Sequence, residues 1–148
     1  MVRTASLPAI ALAATLLASC GGPSVPGLPS PASGIGALTD VFGSRFGLGS
    51  IVARRAVGGM LGVASSRLGE AAWNSLASNI PGASDLLDET LSSLPEGTTL
   101  DSLADVGDML SDEGVTDDQL DEMGSAMSSY LSEAAESDSV RSQIADLF

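Results

Sequence analysis

The chain has 148 residues, a formal net charge of −13, one cysteine, and neither histidine nor lysine. These missing side chains exclude the Ser-His and Cys-His pairs of hydrolases, Ser-Lys dyads, Schiff-base lysines and the phosphate-binding Walker lysine. Paired carboxylates are the remaining option for acid-base catalysis, but the acids follow polar helix faces. We therefore expect a non-enzymatic protein without a cofactor, and the negative charge disfavours nucleic acid as a partner.

The amino-terminal residues have the layout of a secretory signal. Arg3 supplies a positive charge, and an apolar run from Leu7 to Leu17 is too short to span a bilayer as a stable helix. Small residues then precede Cys20. We assign residues 1–19 to a signal peptide.

The sequence Leu17-Ala18-Ser19-Cys20 resembles a bacterial lipobox. The resemblance implies cleavage before Cys20, covalent lipid on its thiol, and acylation of the new amino terminus by a fatty acid such as palmitate. Three acyl chains are enough for durable membrane anchoring. Gly21 follows the cysteine, and analogy with lipoprotein sorting then favours the outer membrane, facing the periplasm. Two alternatives stay open: ordinary cleavage near Ala11-Leu12-Ala13, or Cys20 as a small hydrophobic residue in the core.

Residues 20–34 comprise Cys20 and a Pro/Gly/Ser segment with prolines at 23, 26, 29 and 31. Proline at nearly every third position is typical of polyproline II. About fourteen residues at roughly 3.1 Å each predict a semi-rigid tether with a reach on the order of 40 Å.

Residues 35–148 predict one acidic, all-α domain of about five to six short helices, because apolar residues recur there at steps of three and four. The predicted helices cover 50–69, 70–80, 84–94 and 98–114, then a segment beginning at Thr116, and 139–148. Thr116 and Gln119 form a predicted capping box. The predicted core positions are Val57, Met60, Leu61, Ala64, Leu68, Trp73, Leu76, Ile80, Leu87, Leu91, Leu94, Leu103, Val106, Gly107, Leu110, Leu120, Met123, Met127, Tyr130, Leu131, Ala134, Val140, Ile144, Leu147 and Phe148.

Three glycines, Gly58, Gly59 and Gly62, lie inside the first predicted helix. Each costs about 1 kcal/mol relative to alanine, so we expect another backbone to pack tightly against this patch. A GxxxG contact inside a membrane is the alternative, which would make the protein membrane-interacting. Arg54 and Arg55 in the same segment disfavour it.

Six acids cluster around the turn before the fifth predicted helix, and hard cations such as calcium take oxygen ligands. The spacing does not match a twelve-residue EF-hand loop, and the same acids suit a helix N-terminus. Calcium binding is therefore a secondary hypothesis, with the candidate ligands Asp112, Glu113, Asp117, Asp118, Asp121 and Glu122.

Charge is distributed unevenly along the chain. Residues 20–84 hold four arginines against two acids, whereas residues 85–148 hold seventeen acids against Arg141 alone. One interpretation docks the basic half on anionic lipid headgroups and presents the acidic half to a basic partner. The other, which we favour, leaves the four arginines solvated or paired with those acids.

The segments AVGGMLGVASSRL and SLASNIPGASDLL, followed by an acidic-capped helix and a short apolar tail, resemble the VcgC/VcgE proteins, a domain of unknown function numbered 2780. The resemblance covers about residues 47–148 and is clearest at Gly58-Gly59, Leu61-Gly62-Val63-Ala64 and Ile80-Pro81-Gly82. It implies a small exported helical protein and supplies no catalytic residue. The lipobox and the aspartate load depart from that pattern.

Together these features predict a lipid-anchored envelope protein that binds or scaffolds through a protein partner or through self-association.

Overall fold

A computed structural model describes residues 27–148. The predicted signal peptide, Cys20 and the first tether residues lie outside the described part. Residues 27–148 contain no strand, so the all-α prediction is confirmed. They form seven α-helices, slightly more than expected: α1 (Gly34–Phe46), α2 (Ser50–Leu68), α3 (Glu70–Ser78), α4 (Ala83–Ser93), α5 (Leu103–Leu110), α6 (Asp117–Ala134) and α7 (Asp138–Ala145).

Helix α1 is the additional helix. It contains three glycines, which are weak helix formers, so packing must stabilise it. Its apolar residues Ile35, Leu38, Phe42 and Phe46 recur at helical spacing and are all buried. The two phenylalanine rings meet edge to face, with centroids 5.4 Å apart.

Helix α2 is the centre of the domain. It packs against α1, α3, α4 and α5, and also reaches α6 and α7. All five of its predicted core residues are buried, from Val57 to Leu68. Burial extends around most of its circumference, which is why α2 lacks the one-sided apolar stripe of a surface helix.

Helices α3 and α4 both pack against α2, but the predicted core residues are all buried only in the segment of α3. Trp73, Leu76 and Ile80 are buried as expected. In α4 the buried residues are Ala83, Leu86, Leu87 and Thr90, whereas Leu91 is 44% exposed. The prediction of Leu91 as a core residue is therefore wrong, because α4 turns its Thr90 side toward Gly58 of α2.

The last three helices close the domain. The predicted capping box of α6 is present, since Gln119 donates its backbone N–H to the Thr116 hydroxyl and its side-chain oxygen accepts from the Thr116 backbone. All six predicted core residues of α6 are buried. Helix α7 docks against α6, with the Ser128 hydroxyl 3.4 Å from the Ile144 carbonyl oxygen.

The end of the predicted tether lies on the domain. Pro31–Ser33 form a single 3₁₀ turn, and Pro31 is buried while Leu28 is half-buried against the core. The Tyr130 hydroxyl lies 3.5 Å from the Pro31 carbonyl oxygen. Leu28 and the turn Pro31–Ser33 thus belong to the packed domain, because Leu28 packs against the core and the turn contacts α1 and α6.

Candidate functional site

The residue with the clearest predicted chemistry, Cys20, lies outside the described residues. Its lipidation stays a prediction. The structure does show where the chain leading from it meets the domain, as well as the surroundings of the other candidate residues.

Each glycine of the α2 patch faces a side chain of a neighbouring element. A Cβ added at Gly58 would overlap the Thr90 side chain of α4, and one added at Gly59 would lie 2.8 Å from Met109 of α5. At Gly62 the corresponding atom would lie 2.8 Å from Leu100. The close neighbours are therefore side chains, not the backbone we expected.

This burial bears on the membrane interpretation of the patch. All three glycines are inside the domain, so α2 would have to lose its contacts with α4 and α5 before it could enter a bilayer. Among residues 27–148, no helix has the length and hydrophobicity needed to cross a membrane.

The six acids of the calcium hypothesis lie around the 3₁₀ turn Ser111–Glu113 and the first turns of α6, and all are exposed. Two of them are already in ion pairs: Glu113 with Arg55 at 2.7 Å and Glu122 with Arg45 at 2.8 Å. Asp117 and Asp118 lie at the positive end of the α6 dipole. In residues 27–148, no group of three or more candidate ligands is placed to hold a metal ion.

The remaining arginines of the first half also reach across to the acidic half. Arg54 of α2 forms an ion pair with Glu89 of α4, and the Arg67 Nε donates to the Asp101 carbonyl oxygen at 2.7 Å. With the pairs of Arg45 and Arg55, three of these four arginines neutralise acids. This matches the favoured interpretation of the charge pattern and leaves a predominantly acidic surface.

A depression of about 400 Å³ lies between α2, the α4–α5 loop and α5. Its lining includes Arg55, Pro95, Thr99, Asp105 and Met109. A hydrogen bond from the Ser102 hydroxyl, helped by backbone N–H groups, lowers the pKa of Asp105 below its usual value. An ionised carboxylate that caps its own helix has the character of a structural acceptor, not of a general acid.

The Ser102–Asp105 capping box is a feature that the sequence analysis missed. The Asp105 carboxylate accepts from the backbone N–H of both Asp101 and Ser102, at 3.0 and 2.9 Å. The sequence signal was Ser102-Leu-Ala-Asp105, with aspartate at the position usually held by glutamate or glutamine.

A second depression, of about 470 Å³ and open to solvent, lies along α1. It is lined by Asp40, Val41, Ser44 and Arg45, and on its other side by Gly27. The first described residue, Gly27, therefore lies beside the outer face of α1.

A scan against protein-family models gives no match for this sequence, and searches of curated proteins and of solved structures also give none. The resemblance to the VcgC/VcgE proteins stays a prediction that rests on the quoted segments.

Proposed function

We propose that the chain is a lipid-anchored bacterial envelope protein that acts as a non-enzymatic binding or scaffolding module. The observation that carries this proposal is the single cysteine at the end of Leu17-Ala18-Ser19-Cys20, directly after an apolar run and before a Pro/Gly/Ser segment. Acylation of Cys20 would place the helical domain at the periplasmic face of the outer membrane. The covalent lipid is the only added group that the proposal requires.

The surface of the domain supports the binding part of the proposal. The second half of the chain carries seventeen acids, and the arginines of the first half are largely occupied by ion pairs or a carbonyl contact within the domain. The field outside the domain is therefore negative. A partner protein with a basic surface fits it, and self-association would need contacts that overcome like-charge repulsion.

The anchor is tested by expressing the full chain and its Cys20→Ser variant in a bacterial host. We expect the parent in the membrane fraction with a mass increased by lipid, and the variant unlipidated and released from the membrane. Ser19→Ala is the matched control, because it keeps a small residue before the cysteine and should be lipidated like the parent. A parent protein that is soluble and unmodified would overturn the proposal.

The binding role is tested separately by photo-crosslinking in cells from exposed positions of the acidic helices. Asp88 of α4, Asp108 of α5 and Asp118 of α6 are suitable sites because each is exposed. Ser75 on α3 is a control on an exposed surface in the first half of the chain. We expect a discrete crosslinked product from the acidic sites; its absence from all three would argue against a stable partner on this surface.

A further inference from the structure

We propose that the outer face of α1, around Ser44, faces the lipid headgroups, and that the opposite side of the domain, around Thr99, faces away from the membrane. This inference rests on the proposed lipid anchor at Cys20. It adds an orientation that anchoring alone does not supply.

The described chain begins beside α1. Gly27 lies beside Asp40, Val41, Ser44 and Arg45 on the outer face of α1. From there to Pro31 the chain is packed on the domain, since Leu28 is half-buried and Pro31 is buried. Leu28 and Pro31, which the sequence pattern assigns to the tether, are therefore part of the packed domain.

The tether limits the distance between the lipid-bearing Cys20 and Gly27. Only residues 21–26 lie between the lipid-bearing cysteine and Gly27, and the seven Cα–Cα steps from Cys20 to Gly27 span at most about 25 Å in any conformation. A helical domain of this size has a radius of gyration of about 14 Å. A path around half of its circumference is then roughly 50 Å, twice what the tether can cover.

The loop around Thr99 lies on the side of the domain opposite α1. Ala53 of α2 lies on the side of α1, because an added Cβ at Gly43 of α1 would be 3.8 Å from it. Gly62 comes nine residues later, which at 3.6 residues per turn places it on the opposite side of α2. Gly62 packs against Leu100 in the α4–α5 loop. The loop around Thr99 is thus separated from α1 by the whole thickness of α2.

Exposed acids lie on both sides of the domain. Asp85, Asp88 and Asp108 are exposed on α4 and α5, which pack on α2. The α1 face carries Asp40 and Arg45, and Arg45 is paired with Glu122 in the acidic first turns of α6. Both sides of the domain therefore carry acids, and the orientation rests on the reach of the tether.

The test uses the lipidated full chain in phosphatidylglycerol-containing vesicles with acceptor-labelled lipids. Because Cys20 is the only cysteine and carries lipid, Ser44→Cys and Thr99→Cys each create a unique thiol for a donor fluorophore. Both positions are exposed and polar. We expect at least about twofold higher energy transfer at position 44 than at position 99, because two helix layers of 8–10 Å separate the sites.

A variant with a longer tether tests whether the length of the tether causes the difference in energy transfer between positions 44 and 99. An insertion of about fifteen Gly/Ser residues after Pro26 raises the maximum reach beyond the half-circumference of the domain, so the difference between the two sites should shrink. Equal transfer at both sites with the native tether would overturn the orientation. Protein that does not float with the vesicles would instead contradict the anchor itself, so the two failures are distinguishable.

Discussion

At the scale of single residues, the contact between α2 and α4 depends on a position where no side chain fits. Gly58 is such a position, because an added Cβ would lie 2.9 Å from the Thr90 Cβ and overlap its hydroxyl. Thr90 is itself held in place, since its hydroxyl donates to the Leu86 carbonyl oxygen at 2.8 Å. The contact joins α2 and α4 through a glycine and a threonine.

We predict that Gly58→Ala destabilises the domain by about 1–3 kcal/mol, the usual cost of overpacking, despite the better helix propensity of alanine. Gly36→Ala in α1 is the matched control, because an added Cβ there meets nothing within 4 Å. This control should be neutral or stabilise the domain by up to about 1 kcal/mol. The free energy of unfolding of both variants is measured with urea. Equal values for the two variants would contradict the close contact between Gly58 and Thr90.

Tyr130 gives a second prediction at this scale, because it is the only tyrosine in the chain. Burial, with a smaller contribution from Glu133, raises the pKa of Tyr130 to about 12. The unfolded chain releases this proton near the ordinary pKa of about 10, so the domain loses stability as the pH rises from about 10 to about 12.

The measurement is a tyrosinate absorbance titration of the native protein and of the protein in urea. We expect a midpoint near 12 in the native state and near 10 in urea. A native midpoint that matches the value in urea would show that the hydroxyl is open to water.

At the scale of helices, the sequence predicted the elements with strong periodicity and clear ends. Helix α6 had both, with a six-residue apolar stripe and the Thr116–Gln119 capping box, and both are present. Helix α1 was not predicted as a separate helix because its glycines weaken the local signal, and it is stabilised by packing against α2 and α4, which local periodicity does not reveal. Periodicity also could not show which of the adjacent positions Thr90 and Leu91 faces α2, since that depends on the space left by Gly58.

We predict that Thr116→Ala destabilises the domain by about 1 kcal/mol, because it removes the side-chain cap of α6. The effect extends beyond the cap, since the capped Gln119 also donates to the Phe46 carbonyl oxygen at 3.2 Å. Ser125→Ala, at an exposed interior position of the same helix, should change the stability by less than about 0.5 kcal/mol. The measurement is thermal unfolding of both variants. Equal melting temperatures would show that the Thr116 cap does not contribute to stability.

At the scale of the whole molecule, the candidate sites were harder to predict than the fold. The sequence could show that arginines and acids fall in opposite halves, but only the folded chain shows that Arg45 meets Glu122 and Arg55 meets Glu113. These pairs join residues 77 and 58 positions apart. Likewise, local composition predicted a semi-rigid tether up to residue 34, whereas Pro31 is buried and its turn contacts α6.

We predict that added NaCl stabilises the domain, because repulsion among nineteen acids outweighs a few exposed ion pairs that are each worth at most about 1 kcal/mol. Raising the salt to about 0.5 M should therefore increase the melting temperature. A melting temperature that falls with salt would mean that the ion pairs dominate.

The same experiment tests calcium when CaCl₂ is compared with NaCl at equal ionic strength. Equal shifts indicate screening alone. An additional shift with CaCl₂ that disappears in Asp117→Asn/Asp121→Asn would support a specific site at the start of α6.

The central position of α2 determines how the domain unfolds. Helix α2 belongs to the arginine-bearing half, and α5, α6 and α7 of the acidic half pack on it. The acidic half has no complete core without α2, and α2 loses buried surface when those helices leave, so unfolding should proceed as one cooperative transition, with no stable half-molecule. A protease that cuts the exposed loop between α4 and α5 should therefore leave two fragments that stay associated until the whole domain melts.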